Sequence, residues 1–220
     1  MRYLLYGVIG QDSAECPPGT SLLAAHGLGV VFSAVEETTA SPSVASLLAY
    51  ERVVEAIHAR QAVIPLRYGC VMESESAVLR LLENHRQEYW ALLARLVGMT
   101  EKGIRVLWPA RPELLPAFPL SPGARYLASL RNPYNATHPL AGEETQLADQ
   151  IVGLLPGCFT EQRRDVSSSS QRRLLSLYFL TSKTGVERFR STARRICPPS
   201  GAKLLLSGPW PPYNFAGSPE

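Results

Sequence analysis

The chain is predicted to be an α+β protein built as two domains. Three observations lead there. Its 220 residues exceed what a single core of roughly 100–150 residues usually holds. Strand-like runs alternate with helical ones in both halves, and a proline-rich stretch separates the halves. Apolar residues make up 45% of the chain and charged residues 19%, which is the globular range, and no run approaches the ~20 apolar residues of a membrane helix. A soluble, cytosolic protein with no membrane association is expected. The opening "MRYLLYGVIG" alternates as a strand does and leads into no small-residue cleavage site.

Tyr3 to Ile9 reads as the first strand, and "SLLAAHGLGVVFSAVE" as two more turning at His26-Gly27-Leu28-Gly29. Ser41-Pro42 offers an N-cap with proline at the first helical position, and Val44, Leu47, Leu48, Val54 and Ile57 mark one face of a helix ending near Arg60. Ala62 to Gly69 is strand-like, but Pro65 removes a ladder donor and places it at an edge or a bulge. After the acidic start Glu73-Ser74-Glu75, one long helix is expected to carry Val78, Leu81, Leu82, His85, Tyr89, Leu92, Leu93 and Leu96 on its apolar side as far as Gly98. Gly103 to Trp108 alternates as a strand. Helices therefore cover one face of a sheet in the first domain, 1–110.

Residues 111–122, within "PARPELLPAFPLSP", are too rich in proline for regular structure and read as a linker. The second domain, 123–220, opens on a helical candidate at Gly123 to Leu127 and another from about Glu143 to Leu155. Arg163 to Arg173, "RRDVSSSSQRR", reads as an exposed polar loop, and "LLSLYFLTS" as a strand covered on both faces. A helix with Val186, Phe189, Ala193 and Ile196 on one side stops at Pro198-Pro199. "AKLLLSG" is the last strand and runs into "GPWPPYNF". There Gly208 permits a turn, Trp210 is expected to plug the core of the second domain, and Pro211, Pro212 and Tyr213 complete the motif.

The net charge of +3, from 22 basic and 19 acidic residues, has no concentrated basic face of the kind nucleic acid draws. Lys occurs only at 102, 183 and 203, so the cations are mostly Arg, suited to fixed carboxylate pairs. "LRYGCV" departs from the RNA-reading strand consensus, with no Gly after Arg67 and Cys70 and Met72 where stacking aromatics belong. Cys16, Cys70, Cys158 and Cys197 stand singly without metal spacing and read as reduced structural thiols. The four histidines lie in no catalytic motif, and no nucleophile elbow, zinc-protease helix or phosphate loop is present. Glu51, Glu55 and Arg67 fall on a helix and the next strand, where a Glu51–Arg67 ion pair is expected to be structural. The alternative is a small-anion site built on the same Arg67 and Glu51. No catalytic residue, cofactor or metal ligand is assigned.

Taken in order, "LLAYERVVEAIHARQAVIPLRYGCVMESESAVLRLL", "GIRVLW", Gly123-x-x-Tyr126-Leu127, "LYFLTS" ahead of a helix with Phe189, and the terminal "LSGPWPPYNF" resemble the gas vesicle accessory proteins of the GvpF/GvpL family. Within the first segment the resemblance rests on Tyr50-Glu51-Arg52-Val53 and on the strand at "VIPLRYG", with Tyr68 and Cys70 replacing the more frequent Phe and Thr. It implies a ferredoxin-like first domain, an antiparallel sheet with helices on one face, followed by a smaller α+β domain. It also implies a minor, non-enzymatic gas vesicle component, F-type members lying on the gas-facing side of the shell. The implied partners are the small hydrophobic shell protein of the GvpA type, whose aggregation it limits during assembly, and other accessory proteins. The Pro65 strand, with Val63, Ile64 and Leu66, is the expected edge for such a partner.

Overall fold

In a computed structural model of the chain, the residues described are 2–11, 16–35, 43–108, 142–169 and 172–217. They form two compact units, Met1–Glu101 with Pro209–Glu220, and Lys102–Gly208. The α+β class and the antiparallel pairing follow the sequence reading, while the units divide the chain differently from 1–110 and 123–220. The linker 111–122, the helix at Gly123 to Leu127 and the Ser41-Pro42 cap lie outside the described residues.

The first unit begins with three strands, β1 (Arg2–Gly10), β2 (Ser21–Ala25) and β3 (Leu28–Val35). His26 and Gly27 join β2 to β3 with φ of 55° and 79°, the two left-handed positions of a tight hairpin turn that matches strand twist. Helix α1 (Val44–Arg60) follows, then the short strands β4 (Ile64–Pro65) and β5 (Val71–Met72). The sheet runs β2-β3-β1-β4, with β5 also paired to β1. Three strands therefore precede the first helix, which is not the β-α-β-β-α-β order of a ferredoxin-like domain. The β1–β3 register shifts between Leu5 and Gly7, and Tyr6 at that irregularity stacks on Tyr50 of α1 at 4.8 Å. Tyr6, Ile9, Val31, Tyr50, Val54, Ile57 and Val63 make one buried cluster beneath the helix.

The expected long helix is two, α2 (Glu75–Asn84) and α3 (Arg86–Leu96). His85 leaves helical geometry at φ −109°, ψ 15° and bonds Glu88 at 3.0 Å in the open, so the break costs no buried group. An unbroken 3–4 apolar spacing hid it, because side-chain periodicity survives a single non-helical residue.

Strand β6 (Met99–Leu107) opens the second sheet, of order β7-β8-β6-β9. Helix α4 (Gly142–Gly153) precedes the hairpin of β7 (Glu161–Ser169) and β8 (Arg172–Ser182), and α5 (Val186–Ala193) precedes β9 (Lys203–Trp210). Within "RRDVSSSSQRR", Arg163 to Ser169 belong to β7 and Arg172 and Arg173 to β8, so these residues are strand where a loop was expected. Arg163 faces Tyr178, Asp165 faces Ser176 and Val166 faces Leu175 in register, and an edge strand tolerates charge that also guards it from mispairing. Ile104, Val106, Leu175, Leu177 and Phe179 of the sheet pack against Ile151 of α4 and Phe189 and Ala193 of α5. Arg173 clasps the buried Glu144 carboxylate with two nitrogens, at 2.8 and 2.9 Å, tying α4 to β8.

Candidate functional site

Helix α1 is capped two residues after the expected Ser41. Ser43 is the N-cap: its hydroxyl accepts from the Ser46 N–H at 3.0 Å, and the Ser46 hydroxyl accepts from the Ser43 N–H, a closed capping box. From that start the apolar stripe divides. Tyr50, Val54, Ile57 and His58 are buried, whereas Val44, Leu47 and Leu48 are 76%, 43% and 53% exposed. These three stand at i, i+3 and i+4, so their side chains project together from the first two turns.

Tyr50 anchors the covered half. Its hydroxyl lies 2.8 Å from the carbonyls of both Leu5 and Leu66, bridging β1 and the chain after β4, and Tyr68 meets its ring edge-on at 5.2 Å. Burial drives its phenol far above the ordinary value. Beside it, burial and then the Glu55 carboxylate push the Glu51 carboxyl upward. Burial, then Glu51 and Glu55, also raise the Tyr213 phenol, whose buried oxygen has no hydrogen-bond partner among the described residues. Arg67 does not join this group. It is exposed and forms no ion pair with Glu51, so the expected Glu51–Arg67 pair and the anion site built on it are not assembled. Arg67 lies beyond β4, in a turn where Gly69 adopts φ 92° and the Cys70 N–H donates to the Arg67 carbonyl at 3.2 Å. Among the described residues no cluster of three or more His, Cys, Asp or Glu is suited to a metal. Cys16, Cys70, Cys158 and Cys197 are free thiols.

The expected partner edge at Val63, Ile64, Pro65 and Leu66 has its side chains turned inward. Strand β4 does end the sheet path, but Val63, Ile64 and Pro65 are buried and Leu66 is partly so. Its backbone faces β1, with the Leu66 N–H donating to the Tyr6 carbonyl at 3.0 Å. With these side chains in the core, only the backbone of this edge is left to meet a partner.

The tail is corrected in its anchor. Gly208 adopts φ 81°, and its carbonyl accepts from the Lys102 ammonium at 2.6 Å. Trp210 is 42% exposed and plugs nothing, while Pro211, Pro212 and Phe215 are buried, Phe215 completely. From Pro209 the chain belongs to the first unit and not to the second. Thr100 donates to the Trp210 carbonyl at 2.9 Å, Arg95 reaches the Phe215 carbonyl, and the buried Glu101 carboxylate takes both the backbone and side-chain N–H of Asn214, at 2.8 and 2.6 Å. Sequence reasoning missed Glu101 because it stood before the strand expected at Gly103. The available signal was Gly98, a helix stop that lets β6 begin at once.

Among the described residues no helix is long and apolar enough to cross a membrane. The sequence model of the family described as gas vesicle synthesis protein GvpL/GvpF matches residues 2–217. Gas vesicle protein L of a Streptomyces strain is 27% identical over 190 residues, covering 78% of this chain and 69% of that protein. Gas vesicle protein L1 of Halobacterium salinarum is 25% identical over 195 residues, covering 77% and 69%. The crystal structure of gas vesicle protein GvpF from Microcystis aeruginosa shares the fold, with a TM-score of 0.70 at 17% identity over 98% of this chain and 99% of that one. With a match that spans both units and the "GPWPPYNF" tail, the chain belongs to the GvpL/GvpF family of gas vesicle synthesis proteins, structural and accessory rather than enzymatic.

Proposed function

We propose that this protein is a minor gas vesicle component that binds the small hydrophobic shell protein and holds it from aggregating while the shell is built. One observation beyond family membership supports this: Val44, Leu47 and Leu48 form an exposed apolar stripe on a helix that buries Tyr50, Val54, Ile57 and His58 further along. A shell subunit that borders gas must present an apolar face before assembly, and such a face self-associates unless covered. An i, i+3, i+4 stripe is the pattern by which a helix packs into an apolar partner surface. The partner surface thus moves from the buried Val63, Ile64, Pro65 and Leu66 to the start of α1. The protein's place is the gas vesicle within the cytoplasm, on the gas-facing side of the shell, with other accessory proteins as further neighbours.

The test is light scattering of shell protein diluted from denaturant with the full chain present. Wild-type protein should suppress the scattering, and the double variant Leu47→Glu, Leu48→Glu should lose most of that effect at unchanged melting temperature. Equal protection by the double variant would remove the helix from the reading, and no protection by wild-type protein would remove the function.

A further inference from the structure

Two strands carry nothing that guards their outer side. Among the described residues β2 ends the first sheet, bonded to β3 alone, and β9 ends the second, bonded to β6 alone. An unpaired strand edge offers a row of N–H and C=O groups to another chain, and proteins usually blunt it with charge, proline or shortness. The opposite ends of both sheets are blunted in that way: β4 is two residues long and includes Pro65, and β7 carries Glu161, Arg163, Arg164 and Asp165. β2 is Ser21-Leu22-Leu23-Ala24-Ala25, with no charge, and the free stretch of β9 is Lys203-Leu204-Leu205-Leu206-Ser207, charged only at its start. Past Ser207 the Gly208 and Trp210 carbonyls are taken by Lys102 and Thr100. No residue of either stretch is fully covered, and Leu205 is 54% exposed. Charge is divided between the same two units. Counted along the sequence, Met1–Glu101 with Pro209–Glu220 holds 7 basic and 12 acidic residues, a net −5, while Lys102–Gly208 holds 15 and 7, a net +8.

We propose that β2 of one copy of this chain pairs with β9 of another, joining the first sheet of one molecule to the second sheet of its neighbour. Charge selects the pairing. β9 against β9 sets two units of +8 edge to edge, β2 against β2 sets two of −5 together, and only β2 against β9 brings opposite signs to the seam. The free stretches match in length, five residues each, which is about 17 Å of ladder. Leu22 of β2 and Leu204 and Leu206 of β9 each pack on the core of their own sheet, so a seam that sets them on one face carries the apolar layer across it. Because the two edges differ, the contact is heterologous. Each added molecule leaves one β2 and one β9 free, and growth continues into open chains unless a ring closes. A ladder this short is small for an interface, so association is weak and rises with protein concentration. The pairing does not depend on the stripe at Val44, Leu47 and Leu48. The Leu47→Glu, Leu48→Glu variant should associate as wild type does, which separates failure of one idea from failure of the other.

The experiment is sedimentation velocity of the full-length protein over a range of concentrations. Wild type should pass from monomer to larger species as concentration rises, and raising the salt from about 0.05 to 0.5 M should weaken that association roughly tenfold by screening. Successive residues of a strand point their N–H groups to opposite sides, so of Leu205→Pro and Leu206→Pro one removes an outward donor and leaves the ladder to β6 whole. The one that keeps the wild-type melting temperature has β9 blocked. Leu22→Pro and Leu23→Pro serve β2 in the same way. Each blocked variant alone should stay monomeric, and the two mixed should give a one-to-one dimer and nothing larger, since one retains β2 and the other β9. Should no proline variant keep its fold, Leu205→Glu and Ser21→Arg, both at exposed positions, blunt the same edges and are read alike. Wild type that stays monomeric at every concentration, association indifferent to salt, a blocked variant that self-associates, or a mixture that yields no dimer would overturn the proposal.

Discussion

The two halves of α1 are alike in sequence and opposite in situation. Val44, Leu47 and Leu48 are as apolar as Val54 and Ile57, yet the first three meet solvent and the last two are fully buried; Leu48 and Ile57, about two and a half turns apart, point to opposite sides of the helix. The tail repeats the contrast on a smaller scale, with Trp210 outside and Phe215 inside. Apolarity states what a residue gains by being covered, not whether anything covers it. The uncovered members carry the proposed function, and the covered members hold the first unit together.

The contrast is sharpest in the tail. Phe215→Ala should cost about 3–5 kcal/mol of unfolding free energy, the range for a buried aromatic, against under about 1 kcal/mol for Trp210→Ala. Denaturant titrations of the two variants measure this, and equal losses would return Trp210 to the core. Along α1, Ile57→Ala should cost about 2–5 kcal/mol while Leu48→Ala stays within about 0.5 kcal/mol. A large loss at Leu48 would mean that the stripe is covered within the chain. Ser43→Ala should cost roughly 1 kcal/mol by opening the capping box, loosening the turns that display the stripe, which amide exchange of residues 44–48 would register.

The smallest effect concerns Glu51. Its carboxyl is raised in the folded state, so folding favours the protonated form, and ionisation works against the fold. That penalty is absent below the unfolded value of about 4.3, grows as pH rises toward the folded value, and is constant above it. Glu51→Gln should therefore melt slightly higher than wild type at neutral pH and equally at pH 3. A variant that melts lower at neutral pH would reveal a cation beside Glu51.

Much of the element order was legible in the sequence, because hydrophobic period, caps and proline placement are local properties. The first three strands, α1, the strand at "LLSLYFLTS" and α5 are where their patterns put them. The break at His85 was not legible, since one non-helical residue leaves the 3–4 spacing intact. Strand β7 was hidden because its serines and arginines satisfy no strand pattern until β8 supplies the ladder. Of the site, the "GPWPPYNF" motif and the apolar residues of α1 were identified, but Arg67 was paired with Glu51 on the expectation that a helix and its next strand lie side by side, which leaves side-chain direction unspecified.

The sequence by itself determined the α+β class, most of the elements and the family, since the landmarks that carry the family are local and ordered. Only the tertiary structure decided that the tail returns to the first unit through Glu101, Asn214 and Phe215. It also decided that Val63 and Ile64 are core, and that the start of α1 is bare while its end is covered. The reason is physical: burial and hydrogen-bond satisfaction depend on residues distant along the chain, so no local window contains them.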